Sequence, residues 1–224
     1  MAIKPLAVKA TVGLIGLGGM GALARQGYVA WKNTPKEMSI SAKLEEEKYT
    51  LLSKGAGGWD AILADYRTVV AKDASLKFDN FDGNEPAGGT PKAVDKLKEK
   101  CENAKKQMTK GKRNELLKKA RKWCVTPVKA SALLTNRGFT VLPTNGDNTI
   151  ASNPKWKQKI DNYKVARKGT TNMEKLFEIQ DNGAATDNDI AQIKTKCATF
   201  GETLNHKEEF EKHLQNVELW CADK

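Results

Sequence analysis

The sequence predicts a mainly α-helical protein with minor β structure: an N-terminal apolar helix, then two tandem small helical repeats, each with a disulfide. Three observations carry this. Landmark residues recur in the same order at a nearly fixed offset. Aromatic and aliphatic residues recur at i, i+4 and i+7. Cysteines recur in pairs that a helical hairpin would bring together. The boundaries follow as 1–32 for the N-terminal segment, 33–126 for the first repeat and 127–224 for the second.

The N-terminal segment is set apart by its apolarity. From Ala10 to Ala24 run fifteen uncharged, mostly apolar residues, bracketed by Lys9 and Arg25. As a helix they cover roughly 22 Å, short of a hydrocarbon core of about 30 Å. Snorkelling of Lys9 and Arg25 extends the run, and Tyr28 and Trp31 fall where an interfacial aromatic belt would lie. Val12, Leu14, Ile15, Leu17, Met20 and Leu23 are the candidate membrane-anchor residues. Lys4 and Lys9, the apolar run and Ala22-Leu23-Ala24 fit a secretory signal equally well. Cleaved signal and retained anchor both remain open, and both direct the chain to export or membrane attachment.

The same stretch contains a literal G-x-G-x-x-G at Gly16, Gly18 and Gly21. A dinucleotide fingerprint needs a strand before it, a crossover helix after it and an acidic residue beyond. Only five residues separate Gly21 from Gly27, too few for that helix, and Lys32-Asn33-Thr34-Pro35 follows in place of an acid. The context argues against a nucleotide site, and no cofactor is expected.

The repeat is read from four landmarks. Lys48-Tyr49-Thr50-Leu51-Leu52 parallels Gly138-Phe139-Thr140-Val141-Leu142 at an offset of 90. Trp59, Leu63 and Tyr66 parallel Trp156, Ile160 and Tyr163 at 97. Cys101 parallels Cys197 at 96, and Trp123-Cys124 parallels Trp220-Cys221 at 97. The change from 90 to 97 places a seven-residue insertion in the Pro143–Pro154 loop.

Each copy then gives the same elements. A short helix, Ile40–Lys48 or Lys129–Arg137, leads into a strand-like run at Tyr49 or Phe139. The W-x-x-x-[LI]-x-x-Y residues line one helical face and belong to the core. A loop rich in Gly and Asn follows, Asn80–Gly89 or Asp181–Asn188. Two helices close the copy as a hairpin, Pro91–Met108 and Asn114–Trp123 in the first, with Thr109-Lys110-Gly111-Lys112 as the turn.

That hairpin accounts for the cysteines. Cys101 lies eight residues before Thr109, where the turn starts, and Cys124 lies twelve after Lys112, where it ends. Antiparallel helices therefore bring Cys101 opposite Cys124, and Cys197 opposite Cys221. Each bond closes a loop of about 24 residues and stabilises by roughly 3 kcal/mol in the loop-entropy model. Disulfides imply an oxidising compartment. Trp123 and Trp220, beside their cysteines, are expected to pack over the bridge. No C-x-x-C occurs, and two histidines, His206 and His213, give no metal spacing. Those histidines read as plain surface residues, and no metal or catalytic constellation is expected.

Charge separates the copies. The chain carries a formal +11. Between Lys92 and Lys122 stand thirteen Lys/Arg against four Asp/Glu, whereas Asp187–Trp220 has four against seven. The first hairpin therefore supplies the candidate anion-binding residues: Lys105, Lys106, Lys110, Lys112, Arg113, Lys118, Lys119, Arg121 and Lys122. Clustered lysines attract any anionic surface. Nucleic acid is disfavoured because only Trp123 is near for base stacking.

The opening MAIKPLAVKATVGLIGLGGMGALARQGYVAW, the LEEEKYTLLS segment, the W-x-x-x-L-x-x-Y helix and the K-C…K-W-C punctuation resemble the paralogous families of uncharacterised proteins encoded by hemotropic mycoplasmas. The resemblance spans nearly the whole chain and rests on structural motifs. It implies membrane-anchored or secreted surface display, with antigenic variation or host-cell contact, and brings no catalytic residues. The expectation is thus a non-catalytic surface protein, attached to the membrane by its N-terminal segment and facing an anionic host-cell surface. The competing expectation is a soluble nucleic-acid- or nucleotide-binding protein, using the 92–122 hairpin or the Gly16–Gly21 loop.

Overall fold

The computed structural model of the protein describes residues 37–109, 113–170 and 173–224. The anchor residues and the Gly16–Gly21 loop lie outside the described residues. Glu37–Lys224 forms one compact unit. Its elements are α1 (Ile40–Glu46), α2 (Trp59–Lys72), α3 (Ala93–Lys106) and α4 (Arg113–Trp123) in the first copy. The second copy has α5 (Ala130–Asn136), β1 (Thr140–Val141), α6 (Pro154–Gly169), α7 (Asp187–Gly201), α8 (Phe210–Asn216), which runs into one π-helical turn (Val217–Cys221), and β2 (Ala222–Asp223). The fold is mainly helical, and among the described residues the only ladder is the antiparallel β1–β2 pair.

Both copies are built by the same hydrogen bonds. The α1 helix starts where Ile40 N donates to Gln107 O at 2.7 Å, and α5 where Ala130 N donates to Thr203 O at 2.9 Å. Each first helix is thereby tied to the turn of its own hairpin. Their ends also match. Tyr49 N reaches back to Leu44 O at 2.9 Å, and Phe139 N to Leu134 O at 3.0 Å. The residue before each takes a left-handed conformation, Lys48 at φ 68° and Gly138 at φ 85°. The chain then passes beside the cysteine of the last helix: Leu52 N donates to Cys124 O at 3.1 Å, and Leu142 N to Cys221 O at 2.8 Å. In the first copy this contact is one isolated bridge, Leu51–Val125, and in the second it lengthens into the β1–β2 ladder.

The W-x-x-x-[LI]-x-x-Y faces are core in both copies: Trp59, Leu63, Tyr66, Trp156, Ile160 and Tyr163 are all buried. Their polar atoms are satisfied in parallel. Trp59 Nε1 donates to Ser53 O and Trp156 Nε1 to Pro143 O, each at 3.0 Å. The Tyr66 hydroxyl accepts from Phe78 N at 2.8 Å and donates to Phe81 O at 2.7 Å. The Tyr163 hydroxyl accepts from Leu176 N at 2.8 Å. A buried phenol thus pins the loop that follows each long helix, which a phenylalanine could not do.

Both disulfides form, Cys101–Cys124 with Cα atoms 5.2 Å apart and Cys197–Cys221 with 5.7 Å. These separations lie inside the range a disulfide spans, about 4.4–6.8 Å. The adjacent tryptophans lie against the tyrosines of the long helices: Trp123 meets Tyr66 edge-on at 5.0 Å between ring centres, and Trp220 meets Tyr163 at 5.2 Å. The buried side chains of both copies join in one cluster.

Several boundaries differ from the sequence reading. The second loop ends earlier than Asn188, because Thr186 and Asp189 make a reciprocal capping box that starts α7 at Asp187. The α3 helix starts at Ala93, whose N–H donates to Glu85 Oε2 at 2.8 Å. The inserted loop is fastened to α7, with Ile150 N donating to Asp187 Oδ1 at 2.9 Å and Lys194 Nζ to Asp147 O.

The copies meet where the hairpin turn of the second docks on the first. Asn205 Nδ2 donates to Arg121 O at 3.0 Å and Lys122 O at 3.1 Å, satisfying two carbonyls at the end of α4. Asn205 Oδ1 accepts from Val128 N at 2.9 Å in the linker. His206 and Lys207 both reach Asp65 on α2. Arg137, ending α5, donates to Glu47 O at 3.1 Å and lies over the Tyr49 ring.

Candidate anion-recognition surface

The basic hairpin divides into two populations once folded. The α3 and α4 helices are amphipathic, and each buries one stripe: Ala93, Leu97, Cys101 and Ala104 from α3, and Leu117, Ala120 and Trp123 from α4. Lysines flanking that stripe are drawn inward. Lys105 is 7% exposed, and its ammonium donates to Leu52 O and, at 2.8 Å, to Glu102. Lys122 is 5% exposed and donates to Lys207 O, and burial pushes its pKa down. Arg121 makes a two-point pair with Glu47, whose carboxylate holds the guanidinium pKa above its ordinary value.

Lys105, Arg121 and Lys122 therefore do not belong to an anion-binding surface. Their cations are already satisfied by carbonyls and carboxylates of the same chain, and they act in packing. Lys106, Lys118 and Lys119 remain accessible to solvent. Lys118 has a carboxylate, Asp73, no nearer than 4.0 Å. Lys110 and Lys112 lie outside the described residues, as does the side chain of Arg113.

The fold adds lysines that the sequence reading passed over. Lys96 and Lys100, on α3, face the Phe78–Asp82 turn and share a depression of about 490 Å³ with Asn103. Lys100 donates to Asp79 at 2.7 Å, and that bond holds the Asp79 carboxyl below its ordinary pKa. A second depression of about 310 Å³ continues from Lys100 and Asn103 to Lys119 on α4. The available signal was the i, i+4 spacing of Lys96 and Lys100 on a helix whose neighbouring stripe, about 100° round, carries Leu97 and Cys101.

His206 corrects a second expectation. It stands outside any helix, in the docked turn, and is 3% exposed rather than on the surface. Its Nδ1 lies 2.5 Å from Asp65 Oδ2. Burial lowers its pKa, outweighing the upward pull of Asp65. His213 shares a hydrogen bond of 2.8 Å between Nδ1 and Thr203 Oγ1 and lies against Phe200. Each histidine is thus committed to a contact of its own.

Among the described residues, no group of three or more His, Cys, Asp or Glu side chains could hold a metal ion. Among them, too, no helix is long and apolar enough to cross a membrane. Comparison with protein-family models, with curated proteins and with solved structures finds no match to this chain.

Proposed function

We propose that this chain is an exported or membrane-anchored surface protein without catalytic activity, which contacts an anionic host-cell surface through the exposed basic side of its first copy. The observation that carries the reading is the contrast between two copies with one architecture. Core aromatics, cysteines and hydrogen bonds repeat, yet the first hairpin has thirteen basic residues against four acidic ones and the second has four against seven. A shared core with divergent surface charge is what recognition by surface asks for, whereas a catalytic site older than the repeat would leave polar residues in common. Two disulfides support display in an oxidising compartment. The apolar Ala10–Ala24 run supports attachment or export, as does the resemblance to the surface families of hemotropic mycoplasmas.

The test is sedimentation of the full chain with vesicles containing one-fifth phosphatidylserine, and with intact erythrocytes, at low and physiological salt. The reading expects salt-sensitive binding to both, weakened by Lys106→Glu, Lys118→Glu and Lys119→Glu together. Equal binding by this triple variant would contradict it. Preferential capture of a single-stranded oligonucleotide would favour the nucleic-acid reading instead.

A further inference from the structure

Two neighbouring depressions on the first copy form one trough. They share Asp79, Lys100 and Asn103, and together measure about 490 and 310 Å³, within the size range of ligand pockets, about 300–1,000 Å³. The trough runs between α3 and the Phe78–Asp82 turn, and Lys96 and Lys119 stand at its two ends. Among the described residues, neither of these lysines makes a side-chain hydrogen bond or a close ion pair, although both are half-buried, and Lys119 acts on Asp79 only at longer range. The side-chain amides of Asn80, Asn103 and Gln107 also line it, again with no partner among the described residues.

We propose that this trough is a binding site for a short acidic oligosaccharide, a carboxylated or sulfated glycan segment. The inference rests on the surface-recognition reading above and names its ligand. Amides both donate and accept, which suits sugar hydroxyls, and lysines meet acid groups as compact point charges. Pro91 and Leu116 give apolar flanks for the C–H faces of a sugar ring.

The carboxylates narrow the ligand class. Asp79 and Glu99 line the first depression with Lys96 and Lys100, so its charge is nearly balanced. A polyphosphate, with an anion on every unit, would meet both carboxylates. A glycan spaces its acids apart and offers hydroxyl donors between them. The aromatic rings present, Phe78 and Phe81, are 3% and 9% exposed and unavailable as stacking platforms for bases. At positions matching Lys96, Lys100 and Asn103 the second copy has Gln192, Lys196 and Thr199, so the site belongs to the first copy alone.

The experiment is calorimetric titration of the full chain with a chondroitin sulfate hexasaccharide, in parallel with phosphatidylserine vesicles and a single-stranded oligonucleotide. The hexasaccharide is expected to bind, and Lys96→Gln with Lys119→Gln to weaken it by about tenfold or more. Asn103→Leu, which leaves the charge unchanged, is expected to weaken it too. Lys155→Gln with Lys168→Gln, on the exposed side of α6, should leave it within about twofold. Circular dichroism of each variant confirms folding. Equal loss in the α6 variant, or no loss in Asn103→Leu, would overturn the site. So would equal competition by the oligonucleotide. Vesicle binding without hexasaccharide binding would overturn the site and spare the surface reading, and binding of neither would overturn both.

Discussion

His206 Nδ1 lies 2.5 Å from Asp65 Oδ2, a contact between residues 141 apart in sequence and in different copies. It makes the junction sensitive to pH. Burial depresses the His206 pKa, and that of His213 as well. The unfolded chain takes up these protons near pH 6.5, while the folded chain resists them. Stability is therefore complete above about pH 6.5 and is lost progressively as the pH falls from there toward the depressed folded values. Urea midpoints measured between pH 7.5 and 5.5 should fall with pH, and His206→Gln should flatten the slope. An unchanged slope would remove His206 from the account.

Left-handed backbone gives a second expectation, with opposite signs at two matching positions. Lys48 and Gly138 both occupy φ near +70 to +85° at the end of a first helix. A side chain there costs about 1–2 kcal/mol, part of which returns through the flexibility of glycine in the unfolded chain. Lys48→Gly should stabilise by about 0.5–1 kcal/mol, and Gly138→Lys should destabilise by about 1 kcal/mol. Thermal melting of the two variants checks this; movement in the same direction would contradict it.

The inward lysines separate packing from recognition. Removing Lys105 strips a donor from the buried Leu52 carbonyl, at a cost of about 1–3 kcal/mol. Lys105→Ala should therefore lower the urea midpoint without changing binding to anionic vesicles. Lys106→Ala, one position away and exposed, should do the reverse. Equal midpoints for the two variants would mean that Lys105 is not held as described.

Tyr66 and Tyr163 perform one task in two copies, and their hydroxyls can be deleted singly. Tyr66→Phe leaves Phe78 N and Phe81 O without this partner, and Tyr163→Phe leaves Leu176 N and the more distant Phe177 N. Each should destabilise by about 1–3 kcal/mol. The first should be the larger, since both Tyr66 bonds are short, at 2.7 and 2.8 Å, whereas Phe177 N stands 3.5 Å from the Tyr163 hydroxyl. Chemical denaturation ranks them; a larger loss at Tyr163 would contradict the parallel.

What was legible in the sequence is what repeats because it is buried. Trp59, Leu63 and Tyr66 and their counterparts face the core by helical spacing alone. The cysteine pairs followed from a hairpin whose arms are of similar length. Lysine orientation was not legible. Its long stem lets Lys105 bury while Lys106 does not, and the deciding acceptor, Leu52 O, is 53 residues away. His206 escaped for the same reason, since its burial depends on a docking contact between copies. The trough was hidden because it needs Asp79 and Asn80, in a loop, beside a helix that starts more than ten residues later.

The two disulfides, Cys101–Cys124 and Cys197–Cys221, link the fold to the oxidising compartment proposed for it. Each should contribute about 3 kcal/mol. Non-reducing peptide mapping by mass spectrometry, on protein from its native source, tests both at once. The account predicts peptides linked Cys101–Cys124 and Cys197–Cys221, with no cross-links between the copies. Four free thiols, or links joining one copy to the other, would contradict it.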